Sequence, residues 1–235
     1  MNQIRTQIAI QWLNLAPEKL SEAYTGELGI KHKKILDSPL RYEPLSDAEK
    51  AFVNSLLKQA ALNPGDSTGL RILLALMLYA RADQLPIIYD LPAVPGWFIN
   101  DWMRYLCHAP GLFQESGEAE NYARYMQNWI NYLHKQIFSM PDSPFWKEIA
   151  WFFTWNCNCI PLYFSTANLR EFYIKRADII SSALKNRGFQ IEHTFAPRPA
   201  DRQKIRIGFL NSHFTPQTET YATIPAFDAL DRTQF

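Results

Sequence analysis

The sequence is short of glycine, of cysteine and of any excess of charge, and each shortage excludes a class of protein. Nine glycines in 235 residues suit a glycine-rich phosphate-binding fold poorly, because such loops need glycine for close backbone approach to the anion. Three cysteines cannot close a set of disulfides, which points to a reducing compartment and a cytoplasmic location. The charge is almost balanced, 24 Lys+Arg against 23 Asp+Glu. That argues against a dedicated nucleic-acid binder, whose mark is a basic excess. Long apolar runs are missing too. A membrane span takes about 20 predominantly apolar residues, but Leu70–Ala80 is short and carries Arg71, and Ile149–Phe164 is interrupted by Asn156, Asn158 and Pro161. The N-terminus holds Asn2, Gln3, Arg5, Thr6 and Gln7. It reads as an amphipathic helix and not as the unbroken apolar core of a secretion signal.

What is present is aromatic and apolar. Hydrophobic residues make up 47% of the chain and aromatic ones 14%, with 15 prolines. Packed helices punctuated by prolines fit that composition, and the length allows one large domain or two small ones. Ile4, Ile8, Trp12 and Leu15 recur at helical spacing, and Pro17 opens a second short helix to about Tyr24. The stretch Gly26–Leu45 mixes Gly, His, Lys and Pro and reads as a long connection, its Lys31-His32-Lys33-Lys34 cluster a solvated surface. Ser46-Asp47-Ala48-Glu49 is a capping box. Asn63-Pro64-Gly65-Asp66 signals a turn, and a central apolar helix is expected over Leu70–Ala82.

Further helices are expected over Trp97–Cys107, Gly117–Phe138, Phe145–Cys157 and Thr166–Arg187. In the second of these, Tyr122, Tyr125, Trp129, Tyr132 and Leu133 form one stripe, which is more simply core than an aromatic groove for sugar or peptide. Glu118 and Glu120 favour the dipole at its start. Ser143 is placed as an N-cap with Pro144 at the first helical position, and Gly188 as a left-handed C-terminal cap. After Gly188 the composition changes. A polar, proline-containing linker covers 196–203, the alternation of Ile205, Ile207 and Phe209 makes the first strand-like pattern, and Thr220–Leu230 reads as a helix. A lone strand has nowhere to place its hydrogen bonds. The fold class is therefore mainly α: an all-helical domain over 1–195, then the beginning of a second, truncated domain over 204–235.

The sequence offers few candidates for chemistry. Cys157-Asn158-Cys159 is the one close cysteine pair, and only Cys107 and His108 could complete a metal site around it. Structural zinc usually takes four ligands in paired motifs, so buried thiols are the simpler reading and no metal is expected. His134 reads as structural. No nucleophile elbow, phosphate-binding loop or dinucleotide fingerprint occurs.

The segment Lys204–Phe235, KIRIGFLNSHFTPQTETYATIPAFDALDRTQF, resembles the start of the catalytic region of glycosyltransferase family 41. This family holds the O-linked N-acetylglucosamine transferases, the SPINDLY-type proteins and the bacterial adhesin glycosyltransferases. The likeness lies in a basic-apolar strand (KIRIGFL), a polar loop ending in an aromatic (NSHF), and an apolar helix closed by Asp231-Arg232-Thr233-Gln234-Phe235. The stretch Pro144–Pro199 is similar to the helical region that precedes this lobe in bacterial members. The resemblance implies a two-lobed GT-B enzyme with a Rossmann-like lobe. Its helical domain would recognise an acceptor protein or peptide and support the catalytic lobes, and a sugar would pass from a UDP-sugar to the acceptor without a metal. It also implies that the donor-binding half lies beyond residue 235, so that this chain alone is silent. His213 matches the adhesin-type Glu-His-Phe position and is the catalytic candidate, as a proton acceptor or as a strand-end histidine bonded to its loop. Gln217 stands about where O-linked transferases place a further histidine. Thr215, Gln217, Thr218 and Thr220 are candidates for contacts to acceptor or sugar, or caps of the next helix. The alternative is a helical protein-interaction module without enzymatic activity.

Overall fold

The computed structural model describes residues 2–59, 61–197 and 215–231. The chain divides into two compact units, Met1–Ile191 and Glu192–Phe235. The first holds nine α-helices among its described residues: α1 (Asn2–Asn14), α2 (Leu20–Thr25), α3 (Glu27–Leu36), α4 (Asp47–Leu57), α5 (Ser67–Leu76), α6 (Ile99–Leu106), α7 (Glu118–Ser139), α8 (Pro144–Asn156) and α9 (Arg170–Asn186). The second holds α10 (Thr218–Asp228), with Pro225 inside it. Among the described residues no strand forms. One parallel bridge pairs Leu62 with Ile87, and the Ile88 amide donates to the Leu62 carbonyl at 3.2 Å. The architecture is mainly helical. The expected strand around Ile205–Phe209, His213 and most of the expected linker lie outside the described residues.

The capping box forms as its four letters dictate. The Ser46 hydroxyl accepts from the Glu49 amide at 3.3 Å, and Glu49 Oε2 accepts from the Ser46 amide at 2.9 Å. Asp66 caps α5 by accepting from the Gly69 amide at 2.7 Å, which starts this helix at Ser67 rather than at Leu70. It ends at Leu76, earlier than its apolar run suggests, and the chain continues in turns through Tyr79. Leu73 to Leu78 are wholly buried, so α5 and the turn after it form the hub on which α1 packs.

The stretch Gly26–Leu45 is no simple connection, because α3 occupies its first half. Gly26 begins the helix, and Gly29, His32 and Ile35 are its buried positions. Gly29 is required by close approach: a Cβ there would run into the Tyr24 carbonyl. His32, expected on a solvated surface, is fully buried and accepts a hydrogen bond from Trp12 Nε1 at 3.2 Å on Nδ1.

The second half of the unit is α7 packed against α8 and α9. The aromatic stripe of α7 is core: Tyr122, Tyr125, Trp129 and Leu133 are buried, and Tyr132 packs against them from a partly buried position. Pro144 opens α8 as expected, but the Ser143 hydroxyl makes no capping bond. Gly188, with φ at +81°, closes α9. Its amide donates to Lys185 at 2.9 Å and the Phe189 amide to Leu184 at 3.0 Å, the two bonds of a Schellman cap.

Candidate functional site

A cleft of about 610 Å³ lies between the segment 81–89 and the first three turns of α7. The left-handed Gly117, with φ at +88°, turns the chain sharply into α7. The Gln114 amide then donates to Glu118 Oε2 at 2.8 Å, which folds the preceding loop back over the helix start. Asn121, Arg124 and Asn128 follow at helical spacing and line the cleft. They occupy the face of α7 opposite its apolar stripe, so burial of Tyr122 and Trp129 fixes where the polar groups point. Gln84, Leu85, Ile87 and Tyr89 form the other wall.

Arg81 sets the electrostatics at one end. Its guanidinium donates to both carboxylate oxygens of Asp83, at 2.9 and 3.0 Å, and lies 3.9 Å from Glu118. The Arg81 amide donates to Gln84 Oε1 at 2.9 Å. Arg124 Nη1 donates to Asn121 Oδ1 at 3.3 Å from an exposed side chain. Burial pushes the Tyr89 hydroxyl well above its ordinary range, so it stays a neutral donor. The cleft thus offers side-chain amides, the guanidiniums of Arg81 and Arg124, the carboxylates of Asp83, Glu115 and Glu118, and the Tyr89 phenol. None of its lining residues is a histidine, cysteine or serine. Such a set binds peptide-like donors and acceptors.

The site residues expected from sequence fall elsewhere. Thr215, Gln217, Thr218 and Thr220 belong to the second unit. Gln217 precedes α10 in extended conformation and its side chain makes no capping bond. Thr220 Oγ1 donates to the Thr215 carbonyl at 2.8 Å, so this threonine pins the turn before α10. Thr215 and Thr218 are exposed. His213 is outside the described residues. The cleft of the first unit was missed because its polar groups come from two separated segments and read individually as solvent-facing positions. The one signal was the recurrence of Asn121, Arg124 and Asn128 on a single face.

The three cysteines converge. Cys157 Sγ lies 3.9 Å from Cys159 Sγ, and Cys107, the residue that ends α6, hydrogen-bonds with Cys157. That bond, with burial, pushes the Cys157 thiol well up, and the bond to Cys157, with burial, does the same for Cys159. Cys157 and Cys159 therefore stay protonated thiols, and with the buried Cys107 they pack as small apolar groups. His108 lines a different pocket beside Asp37, Asp101 and Arg104. Among the described residues no three or more His, Cys, Asp or Glu side chains are grouped as a metal ion requires. No described helix is long and apolar enough to cross a membrane. The chain matches no protein-family model, no curated protein and no solved structure.

Proposed function

We propose that the helical unit binds an extended segment of an acceptor protein in the cleft between residues 81–89 and α7. We further propose that the chain supplies the N-terminal part of a protein glycosyltransferase of the O-linked N-acetylglucosamine transferase type. The observation that carries the binding half is the row of Asn121, Arg124 and Asn128 facing Gln84 and Tyr89 across about 610 Å³. Amide side chains match the donors and acceptors of a peptide backbone whatever its sequence, which is what an enzyme with many protein acceptors needs. The transferase half rests on the likeness of Lys204–Phe235 to the opening of the catalytic region. On this reading the donor is a UDP-sugar, its site lies outside the chain, and the chain alone transfers nothing.

Peptide arrays carrying serine and threonine acceptor sequences test the first half. The full chain binds a subset of them, and the double variant Arg124→Ala/Asn128→Ala loses about tenfold in affinity, as two polar contacts at an interface are worth. Unchanged binding by that variant would remove the cleft from the function. Calorimetry with UDP and UDP-N-acetylglucosamine tests the second half: the isolated chain gives no binding heat, and micromolar affinity for either would overturn the proposed placement of the donor site. The cleft's lack of histidine and cysteine equally favours the second reading, an interaction module. The two part on sugar transfer to protein by the product of the reading frame extended past codon 235.

A further inference from the structure

On the other side of the loop that leads into α7 lies a second depression, of about 440 Å³ and of opposite character. Its walls are apolar: Pro110, Leu112 and Phe113 from the loop, and Pro161 and Phe164 from the 3-10 turn Ile160–Phe164. Side chains three apart in a 3-10 turn share an edge. Pro161 and Phe164 therefore face the groove together, Ile160 and Tyr163 share the next edge, and Leu162 points inward, where it is fully buried. The Phe113 and Phe164 rings meet at 6.2 Å in an edge-to-face arrangement, which holds the groove's shape.

The exposure of these residues sets the region apart. Leu112 is 72% exposed, Phe164 70%, Tyr163 78% and Ile160 62%. Scattered exposed apolar residues are ordinary, but a cluster of large ones along a groove marks a surface that something covers. The charge beside it is of one sign. Glu115 and Glu120 line the groove, and no Lys, Arg or His does. Neither glutamate makes an ion pair with a described residue, Glu120 only accepting a long bond from Thr166 at 3.5 Å. Glu120 lies in the first turn of α7, where the positive end of the helix favours a negative side chain.

We infer that this groove docks a short extended segment of a partner protein, one that carries an aromatic or aliphatic anchor flanked by lysine or arginine. The anchor enters between Leu112, Phe113 and Phe164, and the flanking cation meets Glu115 and Glu120. An acidic rim excludes acidic segments and repels anionic lipid headgroups, which is why a basic polypeptide is the occupant the chemistry selects. The surface shares Glu115 with the polar cleft, but its anchor residues Leu112, Phe113 and Phe164 do not line that cleft, and it stands whether or not the cleft binds acceptor.

Fluorescence anisotropy on the full chain tests it, with a fluorescein-labelled peptide bearing a Phe-Leu pair between lysines. Binding falls about tenfold for Phe164→Ala and for Leu112→Ala, the loss of an interface anchor. It falls about threefold for Glu120→Gln, as a rim charge contributes, and weakens with added salt. Leu112 and Phe164 are exposed and Glu120 is partly so, so circular dichroism should be unchanged in each variant. The cleft variant Arg124→Ala/Asn128→Ala binds this probe normally, which keeps the outcome apart from that of the cleft. A peptide with glutamates for lysines binding as well as the basic one would overturn the inference. So would concentration-dependent dimerisation that Phe164→Ala abolishes, or co-sedimentation with phosphatidylcholine vesicles lost in the same variant, since these would name a second copy or a membrane as the occupant.

Discussion

Around α1, α3 and α4 the core is stitched by buried charged and imidazole groups, while around α7, α8 and α9 it is mostly ring packed on ring, with its charged pairs outside and one buried bond, from the Tyr125 hydroxyl to the Leu106 carbonyl at 2.7 Å. Arg5 is wholly buried and donates to the Leu40 carbonyl at 2.9 Å and to Glu49 Oε1 at 2.8 Å. Glu49 spends its other oxygen on the Ser46 amide and hydroxyl. Trp12 bonds to His32, and the Tyr24 hydroxyl donates to Asp101 at 3.1 Å. In the second region Tyr89, Trp129, Tyr132 and Trp146 follow one another at centroid distances of 5.1 to 6.1 Å. The ion pair Arg187–Glu148 and the hydrogen-bonded pair His134–Asp178 there sit on partly or largely exposed side chains. The difference teaches where order comes from. Polar stitches fix one register, since a misaligned charge in the interior is costly, whereas rings tolerate small shifts and stabilise through bulk.

The largest expected effect breaks the first region at its tightest stitch. Glu49→Ala strands the buried Arg5 guanidinium and removes half of the capping box, at a cost of about 4 kcal/mol in chemical unfolding. A loss under 1 kcal/mol would show that the ion pair is not what holds α1 to α4. Acid gives a milder version of the same test. Burial raises the Glu49 carboxyl's pKa, but hydrogen bonds from Ser46 and the Arg5 charge outweigh it and hold the group below the ordinary glutamate range. A carboxyl lowered on folding contributes stability that is complete above its unfolded value, about 4.3, and is lost as pH falls through the folded value. The stability gap between the native chain and Glu49→Gln is therefore constant at neutral pH and closes below about pH 4.

One substitution applied in both regions sharpens the contrast. Trp12 and Trp129 are both fully buried, but Trp12 Nε1 is bonded to His32 while Trp129 Nε1 has no partner among the described residues. Trp12→Phe is expected to cost about 1–2 kcal/mol more than Trp129→Phe, because only the first breaks a buried hydrogen bond. Equal Tm shifts for the two variants would mean that ring volume alone governs both cores.

How much of this could be read from the sequence follows from how local each feature is. The Ser46–Glu49 box, Pro144 at a helix start and the Gly188 cap need only a few adjacent letters, and all three form. Helix α3 was hidden because its buried face is Gly29, His32 and Ile35. Two of those three carry no apolar signal, and His32 is buried only because Trp12, twenty residues away, supplies its donor. The meeting of Cys107 with Cys157 and the pairing of segment 81–89 with α7 are tertiary facts of the same kind. The polar face of α7 was visible as a pattern, but nothing local tells a ligand-facing stripe from a solvated one.

The smaller effects belong to the outer shell of the second region, where the comparison predicts tolerance. Gly188 sits at φ +81° with open space around its missing Cβ. Gly188→Ala meets no neighbour and costs only its left-handed backbone, about 1 kcal/mol. Glu148→Ala removes the 2.7 Å pair with Arg187, yet both side chains are substantially exposed and Arg187 keeps its place 4.9 Å over the Trp151 ring. The expected change is about 0.5 kcal/mol or less, and it should shrink further in high salt. A shift in Tm comparable to that of Glu49→Ala would erase the distinction between stitched and stacked regions. It would mean that the ion pair closing α8 onto the end of α9 bears stability that the ring contacts do not.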